Sequence, residues 1–293
     1  MAAAAAMLFV GSSVGVTEQL VGYPVLAGQA IRYAVAGLLL VGFGVLTGRL
    51  VRPMPEELVR LAILGTIGLA GFNVALVLAL RRADPEPVGV IVGGVPLALA
   101  LLGPWQTRQR PRLGLLAGAA GAVLGAVLVQ GAGDASATGV AFALAALVAE
   151  VAFTLFAVPL LPRLGAVTVA AAGCGFAAAD LLLITFLINH SLDLLEPTVG
   201  QWWGLLYLAV VVTAFAFLLW YDAVARRGSA VAGLFAGLVP IGTLATAWLI
   251  GGEAPEALEL LGMLVVAIAI TGGLVAGSRR PEASVAARDE RGR

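Results

Sequence analysis

Lysine is absent from these 293 residues, cysteine and histidine occur once each, and only 12% of positions are charged. Each shortage removes a class of function. Without lysine there is neither a serine–lysine catalytic pair nor a phosphate-cradling loop with its lysine, so ATP-driven work by this chain is unsupported. A single cysteine excludes a disulfide framework, and Cys174, lying in an apolar run, reads as a small buried hydrophobe. His190 shares its connection with Asp193 and Glu196, too small a set of ligands for a zinc site, so neither metal nor cofactor is expected. No histidine lies inside an apolar run to serve as a catalytic base, and the chain is not expected to be an enzyme. Formal net charge is zero. With no basic stripe to neutralise phosphates, a nucleic-acid partner is not expected.

What is abundant is apolar surface: 61% of residues are hydrophobic and the mean hydropathy is +1.03. Too few polar side chains remain to cover a soluble globule, so the solvent is lipid. A membrane-crossing helix needs about 20 mostly apolar residues. Ten runs qualify: 2–21, 24–48, 58–80, 87–106, 113–131, 138–161, 165–189, 201–223, 229–250 and 257–277. The first lacks a basic leading segment and feeds directly into another run, so it reads as a retained span rather than a signal peptide. Connections such as Val21–Tyr23, Pro162–Arg163 and Ala225–Gly228 are short. Successive helices must be antiparallel hairpins.

Arginine sets the orientation, because positive charge stays on the cytoplasmic side. A cytoplasmic N-terminus puts 14 of the 17 arginines on that side and only Arg81 and Arg82 outside, with Arg32 inside a span. The composition, biased toward alanine, glycine and arginine, fits a GC-rich bacterial genome. A multi-pass protein of the bacterial inner membrane with both termini cytoplasmic is expected, and the charged tail 278–293 is expected to be disordered.

The stretch Arg226–Glu253 has a weaker copy at Arg81–Trp105. Arg81-Arg82 precede Arg226-Arg227 by 145 positions, Pro96 precedes Pro240 by 144, and Ile31–Leu40 is echoed 143 positions later at Cys174–Leu183. An offset near half the chain points to a duplicated unit. Five is odd, so the second copy enters the membrane from the opposite side. The expected fold is an all-α polytopic membrane protein of ten transmembrane helices, arranged as two inverted five-helix repeats at 1–135 and 136–277. Repeats of this kind place a substrate site near the midplane and permit alternating access. Pro96 and Pro240, each removing a backbone hydrogen bond, are expected to kink their helices and line the pathway.

Ionisable groups inside spans are costly in hydrocarbon and mark functional positions. Arg32 lies about two turns below the outer end of the second span. A hairpin brings Glu18 close enough to pair with it, either as a lock between two spans or as part of a gate or carboxylate-binding site. Glu150, midway along the sixth span, shares a face with Phe153 and Thr154 at i+3 and i+4 spacing. It suits an ammonium group or a proton, or else acts as a hydrogen-bonded acid orienting its neighbours. Asp180, with Phe176 one turn earlier, carries the same two readings. Asn73 is either a head-group contact or interhelical glue worth roughly 1 kcal/mol. Tyr33, Tyr207 and Thr213 are secondary cavity candidates, with core packing as the alternative. All five tryptophans fall near span ends, where an aromatic belt accounts for them. Asp222 is placed to pair with Arg226 or Arg227. The glycine pairs Gly114–Gly118 and Gly121–Gly125 suit helix packing within one chain or between two, so a monomer or weak homodimer is expected.

Order and spacing over ten spans resemble the drug/metabolite transporter superfamily, and within it the EamA-type ten-helix exporters. The resemblance is carried by GSS at Gly11–Ser13 followed by Arg32-Tyr33, and by LYLAVVVTAFAFLLWYDAVARR at Leu206–Arg227 with Gly228–Pro240 and Gly252-Glu253 after it. The first half departs from the pattern, having Gly103-Pro104-Trp105 where a Gly-Glu is expected. The resemblance implies a secondary exporter of amino acids or related small metabolites, similar to aromatic amino acid exporters, driven by the substrate gradient or by protons. Drugs, aromatic cations and nucleotide-sugar-type metabolites are the alternative cargoes. A non-transporting structural or receptor-like membrane protein is the alternative of another class.

Overall fold

The computed structural model describes residues 1–16, 18–106, 108–131, 133–189 and 196–278. His190, Asp193 and the tail beyond Ser278 lie outside the described residues, as does the side chain of Glu18. Nine of the described helices are long and apolar enough to cross a membrane. They are Val25–Leu46, Pro55–Leu80, Pro85–Gln106, Leu113–Gln130, Ala137–Ala157, Leu161–Ile188, Val199–Arg227, Ser229–Leu249 and Ala257–Gly277. They are helices two to ten here. Helix one, Ala2–Val16, is shorter than the predicted run 2–21: its last five residues, Ser12–Val16, are a 3₁₀ turn, and Glu18–Leu20 forms a separate 3₁₀ turn beyond it. At the larger rise of that turn, the 15 residues still reach about 25 Å.

Local breaks in the helices recur at one spacing. Helix three widens into a π-helical turn at Leu64–Gly71 and helix eight at Leu208–Phe215, 144 positions later. Helix four breaks at Gly93-Gly94 between Pro85–Val92 and Val95–Gln106. Helix nine changes to 3₁₀ at Phe235–Leu238 between Ser229–Leu234 and Val239–Leu249. Pro96 and Pro240 therefore do not kink a continuous helix from its middle. Each is the second residue of a new helical segment, where its missing N–H would have no intrahelical partner in any case. The interruption lies just before the proline.

Two glycines are needed for chain reversal or entry. Gly165 (φ 70°) separates the turn at Leu161–Leu164 from the body of helix seven, and Gly228 (φ 80°) separates helix eight from helix nine. Side chains with a Cβ rarely adopt that left-handed region.

Close packing explains most of the other glycines the sequence singled out. Gly114, Gly118, Gly121 and Gly125 all face helix ten. A Cβ on Gly118 would stand 2.7 Å from the Gly273 Cα, and one on Gly125 2.8 Å from the Gly262 carbonyl oxygen. This stripe is an intrachain seam. Helix two lies against helix seven, so the echoed segments Ile31–Leu40 and Cys174–Leu183 are neighbours: Gly37 sits over Cys174, which is fully buried. Gly11 and Gly242 bring helix one onto helix nine beside the break at Pro240. Asp222 and Arg226 form the expected ion pair, at 2.8 Å on the surface.

Candidate functional site

Helices one to six, eight and nine surround a cavity of about 900 Å³. On one side its lining reaches the helix ends at Leu20–Tyr23, Leu80, Pro85 and Gln130. On the other it stops part-way along the helices, at Phe153 and Phe217. Its walls are mainly aliphatic, and the polar groups within it are few.

Arg32, Tyr33, Asn73, Glu150 and Phe153 all line this cavity, as do Pro96 and Pro240. Arg32 Nε donates to Thr213 Oγ1 at 2.5 Å and Nη1 donates to Gln29 Oε1 at 3.1 Å. Its guanidinium also lies 5.3 Å from the centre of the Tyr33 ring, a cation–π distance. Asn73, buried at 5% exposure, donates through Nδ2 to Tyr33 Oη at 3.0 Å and to the Leu69 carbonyl at 2.8 Å. Glu150 has no hydrogen bond or ion pair among the described residues. Both hydrogen-bond partners of Arg32 are neutral oxygens, so a guanidinium and a carboxyl group share the cavity without a salt bridge between them.

Three expectations are corrected. Asp180 does not line the cavity: its carboxylate accepts a hydrogen bond from Thr66 Oγ1 of helix three at 2.6 Å, and Thr66 is not a lining residue either. Tyr207 is spent on Ser12, oxygen to oxygen at 2.7 Å, tying helix eight to helix one. Thr213, fully buried, stands behind the wall as the support of Arg32 rather than as a lining group. The pairing of Glu18 with Arg32 falls on a side chain outside the described residues.

The closed end of the cavity comes from residues the sequence did not single out as a group. Phe153, Phe217 and Tyr221 form a buried aromatic cluster with ring centroids 4.8 Å (Phe153–Phe217) and 5.1 Å (Phe153–Tyr221) apart. Trp220 is not part of an aromatic belt. It is 4% exposed and donates its indole N–H to Thr154 Oγ1 at 3.2 Å. The other four tryptophans are exposed, as a belt requires. Gln29, one turn before Arg32, and Gln130, whose amide oxygen lies 1.6 Å from where a Cβ on Gly89 would be, were also missed. Spacing alone signals only the first. At the open side, burial pushes the Tyr23 hydroxyl above its usual range.

The sequence profile of the EamA-like transporter family matches residues 1–130 and 137–274. This chain belongs to that family. It is 27% identical to the uncharacterized transporter YetK of Bacillus subtilis (strain 168), over 98% of this chain and 89% of that protein. A crystal structure matches with a TM-score of 0.82 at 21% identity, covering 95% of this transporter and 98% of that chain, and shows the shared fold. The two matched segments divide within the connection from helix five to helix six. The Gly11–Ser13 signature of the transporter now has a physical content. Gly11 admits helix nine, Ser12 holds Tyr207, and Ser13 lines the cavity.

Proposed function

We propose that this multi-pass membrane transporter exports amino acids or related zwitterionic small metabolites across a bacterial inner membrane by alternating access. The observation that carries the reading is a guanidinium and a carboxyl group that line one cavity without a salt bridge. Arg32 holds two neutral oxygens and the face of the Tyr33 ring but no carboxylate, and Glu150 has no hydrogen bond or salt bridge among the described residues, so both remain available to a molecule bearing a carboxylate and an ammonium group. A charge-paired zwitterion desolvates at lower cost than either charge alone. Aliphatic walls then take the rest of the molecule.

The recurrent 144-residue spacing of the π turns and breaks supports two five-helix repeats, 1–135 and 136–277, inverted with respect to each other. With the arginine-rich ends in the cytoplasm, the open side of the cavity faces outward and the Phe153–Phe217–Tyr221 cluster closes the inner side. The driving force is the substrate gradient or exchange for a proton, with Glu150 as the proton carrier.

Flux in proteoliposomes tests this. Vesicles loaded with single amino acids are expected to show counterflow that Arg32→Gln and Glu150→Gln each reduce at least tenfold, since about 1.4 kcal/mol of lost binding is a factor of 10. A pH gradient that accelerates wild-type flux and leaves Glu150→Gln unaffected supports proton exchange; flux indifferent to the gradient in both supports the facilitative mode. Counterflow of aromatic cations but of no amino acid would replace the substrate class and keep the role of Glu150.

A further inference from the structure

Two relays of hydrogen bonds leave adjacent residues of helix two and end on carbonyls of the two π-helical turns. Arg32 Nε–H donates to Thr213 Oγ1 at 2.5 Å, and that hydroxyl donates to the Leu208 carbonyl at 2.8 Å, inside the turn Leu208–Phe215. Tyr33 Oη accepts from Asn73 Nδ2 at 3.0 Å, and the same amide donates to the Leu69 carbonyl at 2.8 Å, inside the turn Leu64–Gly71. Donors and acceptors balance. The single hydrogen of Thr213 goes to Leu208, leaving its lone pairs for Arg32, and the two hydrogens of the Asn73 amide go to Leu69 and Tyr33.

A π turn bonds each N–H to the carbonyl five residues back, and is uncommon because the α alternative is the regular one. Reverting to α shifts the register by one residue and turns the parts of the helix on either side by about 100° relative to each other. In helix eight, Phe217 and Tyr221, which close the inner side of the cavity, lie just beyond the turn. In helix three, Gly68 lies within the turn against the backbone of Phe153, with 2.7 Å between a would-be Cβ and the Phe153 Cα. Both turns therefore bear on the same aromatic cluster from two directions.

We propose that helix two is a strap that pins both π turns from inside the cavity, with Thr213 and Asn73 as the positioning residues. A molecule engaging Arg32 or Tyr33 then acts on helices eight and three through side chains already bonded to them. The use of the strap in transport rests on the transport reading above; the strap itself does not.

The test is amide hydrogen exchange on the full chain in lipid nanodiscs with no ligand added, following peptides that cover 64–71 and 208–215. Thr213→Val is expected to exchange about five-fold faster in 208–215, the factor for one hydrogen bond of about 1 kcal/mol, with 64–71 unchanged. Tyr33→Phe and Asn73→Leu are expected to do the reverse. Thr213→Ser restores the hydroxyl and is expected to match the wild type. Arg32→Gln removes the donor while keeping the Thr213–Leu208 bond, and serves if Thr213→Val does not fold; it too must loosen 208–215 selectively. Equal exchange in Thr213→Val and Thr213→Ser, or equal loosening of both turns by every variant, overturns the strap. Because no substrate is present, absent amino-acid flux in vesicles leaves this result standing. Conversely, unchanged exchange beside intact flux removes the strap and keeps the transporter.

Discussion

Replacing Gly118 by alanine tests the seam between helices five and ten, which holds the ends of the two matched segments together. The ideal Cβ at Gly118 would lie 2.7 Å from the Gly273 Cα, 2.8 Å from the Ala269 carbonyl oxygen and 3.2 Å from the Gly273 nitrogen. All three are backbone atoms, which cannot rotate away. Carbon contacts are comfortable at about 3.5–4.0 Å, so the two helices must part by most of an ångström. Overpacking of this kind costs about 1–3 kcal/mol, and the higher helix propensity of alanine returns about 1 kcal/mol. A net loss of about 1 kcal/mol is expected from these two terms.

Gly272, one residue from Gly273 on the same helix, supplies the control, because nothing lies within 4 Å of its would-be Cβ. Gly272→Ala keeps the propensity gain and meets no backbone, so it is expected to be neutral or stabilising. Cys174 supplies the assay. It is the only cysteine and is fully buried, so a thiol-reactive fluorophore reports unfolding as the protein is heated. Gly118→Ala should unmask the thiol at a lower temperature than wild type, and Gly272→Ala should not. Unmasking of Gly118→Ala at or above the wild-type temperature would refute the reasoning, as would an equal fall in both variants.

The Trp220–Thr154 bond is buried, so Trp220→Phe should destabilise by about 1 kcal/mol or more. In the double variant with Thr154→Val the two losses should be less than additive in the same thiol assay. Asp222→Asn removes an ion pair whose arginine side chain is 76% exposed; the melting temperature should stay within error of wild type, in keeping with a surface pair worth about 0–1 kcal/mol.

Several features were legible before any coordinates because each depends on a property summed over a whole segment. Ten apolar runs follow from the thickness of hydrocarbon, and the loop arginines bear on orientation because charge resists translocation. Position within a helix was harder to read. The first span changes to 3₁₀ at Ser12–Val16 and stops short of residue 21, and nothing in apolar length distinguishes a 3₁₀ turn from an α turn. Trp220 sits near a span end in sequence yet is packed against Thr154, since proximity to an end says nothing of which way a ring points.

By itself the sequence determined an all-helical membrane protein of this transporter family, and singled out Arg32, Asn73 and Glu150 as polar groups that hydrocarbon would not tolerate without a purpose. Only the tertiary structure decided that these three share one cavity with Tyr33, while Asp180 turns to Thr66 and Tyr207 to Ser12. The physical reason is that these helices are apolar nearly all round. A helix in water shows its inward face by where its polar residues are not, whereas in lipid both faces are apolar and the inward one is chosen by close packing between backbones.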